Sequence, residues 1–291
     1  MTDSIGVCLE KEPTLLFTSS ARHVPTTVKT ILFYIFLLLL NNQICSADSL
    51  VFIKSIPIEA RLLSTDPLGN IYLVKENNTL LRLNEKGDSI GVFNEIKKGK
   101  ISLIDASYPL RILLFFSDYN QIIVLDNMLT RKNVYQLNSI GLNNVSCIAN
   151  SADGNIWLYD QSSGSLLKVN EQLAILQNTN LRTLSENPSS PSDMTEYDSA
   201  LYIADTLDGI RKFDQFGFYN TTYHIKANNL QFFNSYLVYF STPYLISYNI
   251  KSFTERKLAL SEPENIEQLR VERNRLFILR KDRLDIFELV Q

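Results

Sequence analysis

The chain has 291 residues with 28 Lys plus Arg against 31 Asp plus Glu, a net charge of −3 at pH 7. That balance excludes the basic stripe of a nucleic-acid binder. Three cysteines and two histidines leave little material for a disulfide framework or an imidazole metal site.

Taken in chain order, the first feature is the apolar run Ile31-Leu32-Phe33-Tyr34-Ile35-Phe36-Leu37-Leu38-Leu39-Leu40. It follows Lys29 and ends at Cys45-Ser46-Ala47. A run this short does not match a bilayer span, which needs about 20 apolar residues. A basic residue, an apolar stretch and small residues at the end describe a secretory signal cut after Ala47. The chain therefore divides into residues 1–47, an N-terminal extension plus signal, and residues 48–291, the mature domain. Residues 1–27 fit neither a signal nor a fold, and Val28 is the expected true start. Alternatives for this segment are a membrane anchor or lipid attachment at Cys45. After cleavage the single cysteine is Cys147. No internal disulfide is then possible, which suits a bacterial envelope better than an animal secretion.

The mature part repeats itself. Asp66-Pro67-Leu68-Gly69-Asn70-Ile71-Tyr72-Leu73-Val74 has a second copy in Ala152-Asp153-Gly154-Asn155-Ile156-Trp157-Leu158-Tyr159. Polar turns between alternating apolar runs are hairpin signals. The two copies are separated by twice a period of about 40–45 residues, the length of a propeller blade. Aligned on the second strand, six copies emerge, at Ile71–Val74, Leu113–Phe116, Ile156–Tyr159, Leu201–Ala204, Leu237–Phe240 and Leu276–Leu279. Third strands are read at Gln121–Leu125, Ile210–Asp214 and Leu245–Tyr248. Outer strands are read at Ser89–Phe93 and Thr222–Ile225, and the Pro/Ser stretch Ser185–Ser192 as a loop between blades three and four. Residues 267–289 have a helical alternative, but Asn274 and Lys281-Asp282 fall where blade turns belong. The sixth copy lacks an outer strand, and Ser49–Ile56 supplies one. The expectation is an all-β, six-bladed β-propeller closed by pairing of the N-terminal strand with the last blade.

Leu201-Tyr202-Ile203-Ala204-Asp205-Thr206, followed by Gly209-Ile210-Arg211-Lys212-Phe213-Asp214 and Gly217, resembles the NHL repeat, as does Asp153–Asp160. The whole mature chain is similar to uncharacterised exported propellers of Gram-negative bacteria. The resemblance implies a fold and a compartment, the periplasm or cell surface, and no substrate.

Enzyme signatures are mostly absent, and a Ser-His-Asp triad would have to use His224. His224 is the only mature histidine, no G-x-S-x-G elbow and no Gly-rich phosphate loop occur, and Cys147 sits in an apolar strand as inert core. Trp157 and Tyr202 read as packing between blades. Turns between second and third strands gather on one face of a propeller, and they offer Lys75, Asn77, Asp118, Tyr119, Asp160, Gln161, Asp205, Asp208, Tyr244 and Arg280 as a contact surface for a protein or glycan partner. Asp160 and Asp205 also match the repeat pattern as turn-holding residues. First strands line the central channel, where Asp105, Asp193 and Asn229 are candidate oxygen ligands for a hard cation such as Ca²⁺. The expected function is a monomeric binding or scaffold module without cofactor. The alternative is a metal-dependent hydrolase or lactonase using the channel.

Overall fold

A computed structural model of the chain describes residues 49–95, 99–184, 190–227 and 229–290. The signal and alternative-start readings lie outside the described residues. The chain divides at Ala47/Asp48, and every described residue belongs to the second unit.

After β1 (Ser49–Pro57), the chain forms blade 1 from β2 (Ala60–Thr65), β3 (Ile71–Lys75), β4 (Thr79–Leu83) and β5 (Ser89–Asn94). Blade 2 is β6 (Leu103–Tyr108), β7 (Arg111–Phe116), β8 (Gln121–Leu125) and β9 (Arg131–Gln136). Blade 3 is β10 (Val145–Asn150), β11 (Ile156–Asp160), β12 (Ser165–Val169) and β13 (Ile175–Asn180). Blade 4 is β14 (Pro191–Tyr197), β15 (Ala200–Asp205), β16 (Gly209–Asp214) and β17 (Tyr219–Tyr223). Blade 5 is β18 (Gln231–Phe233), β19 (Tyr236–Ser241), β20 (Tyr244–Asn249) and β21 (Thr254–Ala259). Blade 6 is β22 (Gln268–Glu272), β23 (Arg275–Leu279) and β24 (Arg283–Val290), with β1 as its outer strand.

These are six four-stranded antiparallel sheets, and β1 pairs with β24 from Ser49↔Val290 to Pro57↔Arg283. The closure read from the sequence is therefore present, and the stretch with a helical alternative is strand. Boundaries differ most clearly in two places. The outer strand of blade 4 starts at Tyr219, because Asp214–Phe218 makes a tight turn. The Pro/Ser loop ends earlier than Ser192, because Pro191 already pairs with Asp205.

Alternation along each strand divides its side chains between two neighbours. In β11, Ile156 and Leu158 pack toward blade 2, whereas Trp157 and Tyr159 pack toward blade 4. In β15, Leu201 and Ile203 face blade 3, and Tyr202 faces blade 5. The result is six apolar clusters, one at each junction between blades, including one that joins blade 6 to blade 1. The core is thus a closed ring of interfaces, driven by burial of apolar area.

Turns between third and outer strands of blades 1 to 4 share one device. The leading Asn or Asp (Asn84, Asp126, Asn170, Asp214) accepts the amides two and four residues on through Oδ1. The residue at the third step has positive φ, at Gly87, Leu129, Leu173 and Gly217. At Gly217 a side chain would also crowd Thr179 and the Trp157 ring. Arg82, Lys168 and Arg275 each donate to the carbonyl at the second position of the next blade's turn: Asn127, Gln215 and Glu85 respectively. The turns are therefore locked to the ring.

Candidate functional site

Inner strands of a propeller leave one edge of backbone amides facing the channel, and such an edge must be satisfied or covered. In this chain, side chains of one inner strand reach across to the next. Asp105 Oδ2 accepts the amide of Asn150 at 2.6 Å, and Asp193 Oδ2 accepts that of Leu230 at 2.7 Å. Gln231 Oε1 accepts from Val271 N at 2.8 Å, and Gln268 Oε1 from Leu63 N at 2.7 Å. Between blades 3 and 4 the direction reverses. Glu196 accepts from Trp157 Nε1 at 2.7 Å, Ser151 Oγ at 2.6 Å and Ala152 N at 2.9 Å.

The channel widens at one mouth into a cavity of about 450 Å³. Its walls include Asp105, Asp193, Glu196, Arg270 and Glu272, with Tyr108, Tyr197, Phe232 and Phe233 between them. Tyr197 and Phe232 stack with centroids 4.4 Å apart and planes 7° from parallel. Arg270 Nη1 donates to Leu230 O at 3.2 Å, and its charge acts on both Asp193 and Asp105. Burial pushes the Asp193 carboxyl up to about 6, against the pull of Arg270 and two amides. Burial pushes Glu272 up to about 7, helped by the nearby Asp66 carboxylate and opposed by the Arg273 amide and charge. The mouth opens on the face formed by the first-to-second and third-to-outer turns. Sequence reasoning did not find Arg270, Glu272 or Glu196. Their one sequence signal is a charged residue inside a strand lining the channel.

The turn residues singled out from the sequence lie on the opposite face and form two groups. Asn77, Asp118, Tyr119, Gln161 and Tyr244 are exposed, and Lys75 and Asp208 are half-buried. Asp160, Asp205 and Arg280 are buried. Asp160 Oδ2 accepts from Ser163 N and Oγ, and Asp205 accepts from Ser190 N and Leu207 N. Arg280 donates to Asp285 at 2.7 Å and to the carbonyls of Ser261 and Glu262. These three hold turns in place and present no side chain to a partner.

The channel residues proposed as metal ligands do not converge. Asp105 and Asp193 share the large cavity, but Asn229 lines a separate one of about 140 Å³ with Lys226 and Gln268. The reason is that β18 is only three residues long and starts beyond Asn229. Both carboxylates already accept backbone amides through both oxygens, with Arg270 beside them. A hard cation needs six to eight oxygens, so this donor set does not fit Ca²⁺. Among the described residues, no three His, Cys, Asp or Glu side chains cluster as metal ligands. His224 is exposed beyond the end of β17. Cys147 is buried, donates to Pro191 O at 3.2 Å, and has its thiol pushed up to about 12 by burial.

Six closed blades with a polar, aromatic-walled channel mouth define a six-bladed β-propeller. No protein-family model matches the sequence, and no curated protein does either. Solved structures do match. A streptogramin B lyase is 13% identical, with 84% of this chain and 98% of that one covered and a TM-score of 0.60. BamB from Moraxella catarrhalis is 11% identical, covering 82% and 98%, with a TM-score of 0.52. YCF48 bound to a D1 peptide is 10% identical, covering 84% and 100%, with a TM-score of 0.53. Likeness at this identity shows the fold alone. Among the described residues, no helix is long and apolar enough to cross a membrane.

Proposed function

We propose that the chain is an exported, NHL-like propeller that acts as a binding or scaffold module for a protein or glycan partner in the envelope of a Gram-negative bacterium. The observation that carries this reading is the tied ring. Side chains cross the junctions between blades and fix the turns, so the molecule displays two rigid turn faces. A rigid frame lowers the ordering cost of binding. One propeller of similar fold, YCF48, is held in complex with a peptide. Export rests on the segment from Ile31 to Ala47, with residues 1–47 removed and 48–291 forming the domain.

Expression of the full chain in a Gram-negative host tests both parts. Expected are a mature N-terminus at Asp48 outside the cytoplasm and a defined crosslinked partner or a saturable glycan. An uncleaved cytoplasmic chain overturns export, and the absence of any saturable partner overturns the binding role. The alternative hydrolase draws on the 450 Å³ cavity alone. Elemental analysis of the purified chain, with melting compared with and without EDTA, tests its metal. A stoichiometric ion that stabilises the fold would favour the enzyme.

A further inference from the structure

The binding role does not specify which turn face meets the partner, and three features favour the face that carries the large cavity, although Leu207 and Tyr119 are exposed on the other.

The first is its apolar tips. Leu110 is 74% exposed, Met128 73% and Phe253 68%, and Leu68 and Phe216 are also exposed. Met128 and Phe216 sit on turns whose Asp oxygens and positive-φ residues fix the backbone. Their exposure is therefore built into the turn. Apolar groups held in water on a rigid face mark an interaction surface.

The second is charge. Among the described residues, the cavity lining carries Asp105, Asp193, Glu196, Asp198 and Glu272 against the one cation Arg270. Arg270 is engaged with Asp193 and Asp105. Glu196 is held by three donors from blade 3. Glu272 has a carboxylate neighbour, Asp66, and is supported by the amide and the charge of Arg273. A negative mouth with a half-buried carboxylate on its wall complements a cation.

The third is the wall. The Tyr197–Phe232 stack supplies aromatic faces in the same cavity. An organic cation is attracted to such faces and needs no cage of oxygens. A metal ion does need one, and the oxygens of Asp105 and Asp193 are taken by backbone amides.

We infer that this face docks a protein partner that inserts a lysine or arginine side chain into the channel mouth beside Glu272, while flanking apolar residues cover the Leu110, Met128, Phe216 and Phe253 tips. The inference rests on the binding-module reading and names its surface and the chemistry of its partner. The smaller cavity of about 140 Å³ has Lys226 and Glu267 in its lining, so it lacks the acidic excess of the large one.

The test is selection of a random peptide library on the immobilised full chain, followed by affinity measurement of the enriched peptides. Expected are peptides with Lys or Arg among apolar residues, displaced by free agmatine. Their affinity should fall at least about tenfold in Glu272→Gln and in Phe216→Asp, and stay unchanged in Tyr119→Asp on the other face. Glu272→Gln should melt no lower than the parent chain, which separates loss of binding from loss of fold. Peptides that ignore Glu272→Gln but are lost in Tyr119→Asp overturn the inference and leave the binding module standing. Agmatine binding without any enriched peptide overturns the protein partner in favour of a small organic cation. Failure of both probes overturns the inference and weighs against the binding module itself.

Discussion

Lys168 Nζ lies 4.7 Å from the centroid of the Trp157 ring, directly across the β11–β12 pair, and also bonds Asp153 at 2.6 Å. The same pairing recurs as Arg82 over Tyr72 and Lys212 over Tyr202, again at directly opposed positions. In the first two cases the cation goes on to a turn carbonyl of the next blade. One pair thus joins strand pairing within a blade to the junction between blades. Trp157→Ala removes the largest fully buried side chain, and the expected loss is about 3–5 kcal/mol. Lys168→Met retains the apolar stem, and the expected loss is about 1–2 kcal/mol. Urea unfolding of both variants and the double variant measures the coupling. Strict additivity would show that the ring and the ammonium act independently.

Stability should fall as pH rises through neutrality. Glu272 is raised from 4.5 to about 7 by burial, so the folded chain holds this proton more tightly than the unfolded chain does. Its contribution is full below the unfolded value and is lost as pH climbs through about 7. Asp193, raised from 3.8 to about 6, acts in the same direction at lower pH. Melting temperature followed across this range in the parent and in Glu272→Gln checks the assignment. The variant should lose the upper part of the slope.

Asp193 links blade 4 to blade 5 and balances Arg270. Asp193→Ala leaves the Leu230 amide without its acceptor and weakens compensation of a buried guanidinium, an expected cost of about 3–5 kcal/mol. Hydrogen exchange should accelerate at Leu230 well before it does at Asn150, whose acceptor is Asp105. Equal exchange at both sites would argue for global destabilisation only.

Deletion of residues 49–57 exposes the whole edge of β24 and removes the edge-to-face contact of Phe52 with Phe287 at 5.5 Å. A bare, hydrophobic edge promotes association. The truncated chain should elute as higher oligomers or precipitate, and a monodisperse product with parental melting would refute the role of the closure.

Cys147 should resist thiol reagents in the folded protein. Its thiol is buried and pushed up to about 12, so almost no thiolate forms at neutral pH. Reaction with Ellman's reagent should follow the unfolding curve in urea. Rapid labelling without denaturant would place the thiol elsewhere.

The fold was legible because a propeller is written locally. The continuous apolar runs in Ile71–Lys75, Ile156–Asp160 and Ala200–Asp205 encode strands buried on both faces, and the spacing of such strands encodes the blade. Counting strands also exposed the missing one in blade 6, which Ser49–Pro57 fills. Even the short-range turn code is visible afterwards in Asn84, Asp126, Asn170 and Asp214.

The contact surface and the channel were not legible in the same way. Asp160, Asp205 and Arg280 occupy turn positions like those of Asn77 and Tyr119, and only packing separates the buried holders from the exposed displays. Asp193 meets Leu230 across 37 residues, and Gln268 meets Leu63 across 205. Such pairs depend on how far each inner strand slides along the channel relative to its neighbour. No local pattern records that offset, since the strand period is satisfied at any of several registers. The apolar strand runs and the blade period are therefore properties of the chain read residue by residue. The acidic mouth, the stacked Tyr197 and Phe232, and the ties between blades exist only once six separately encoded sheets close into a ring.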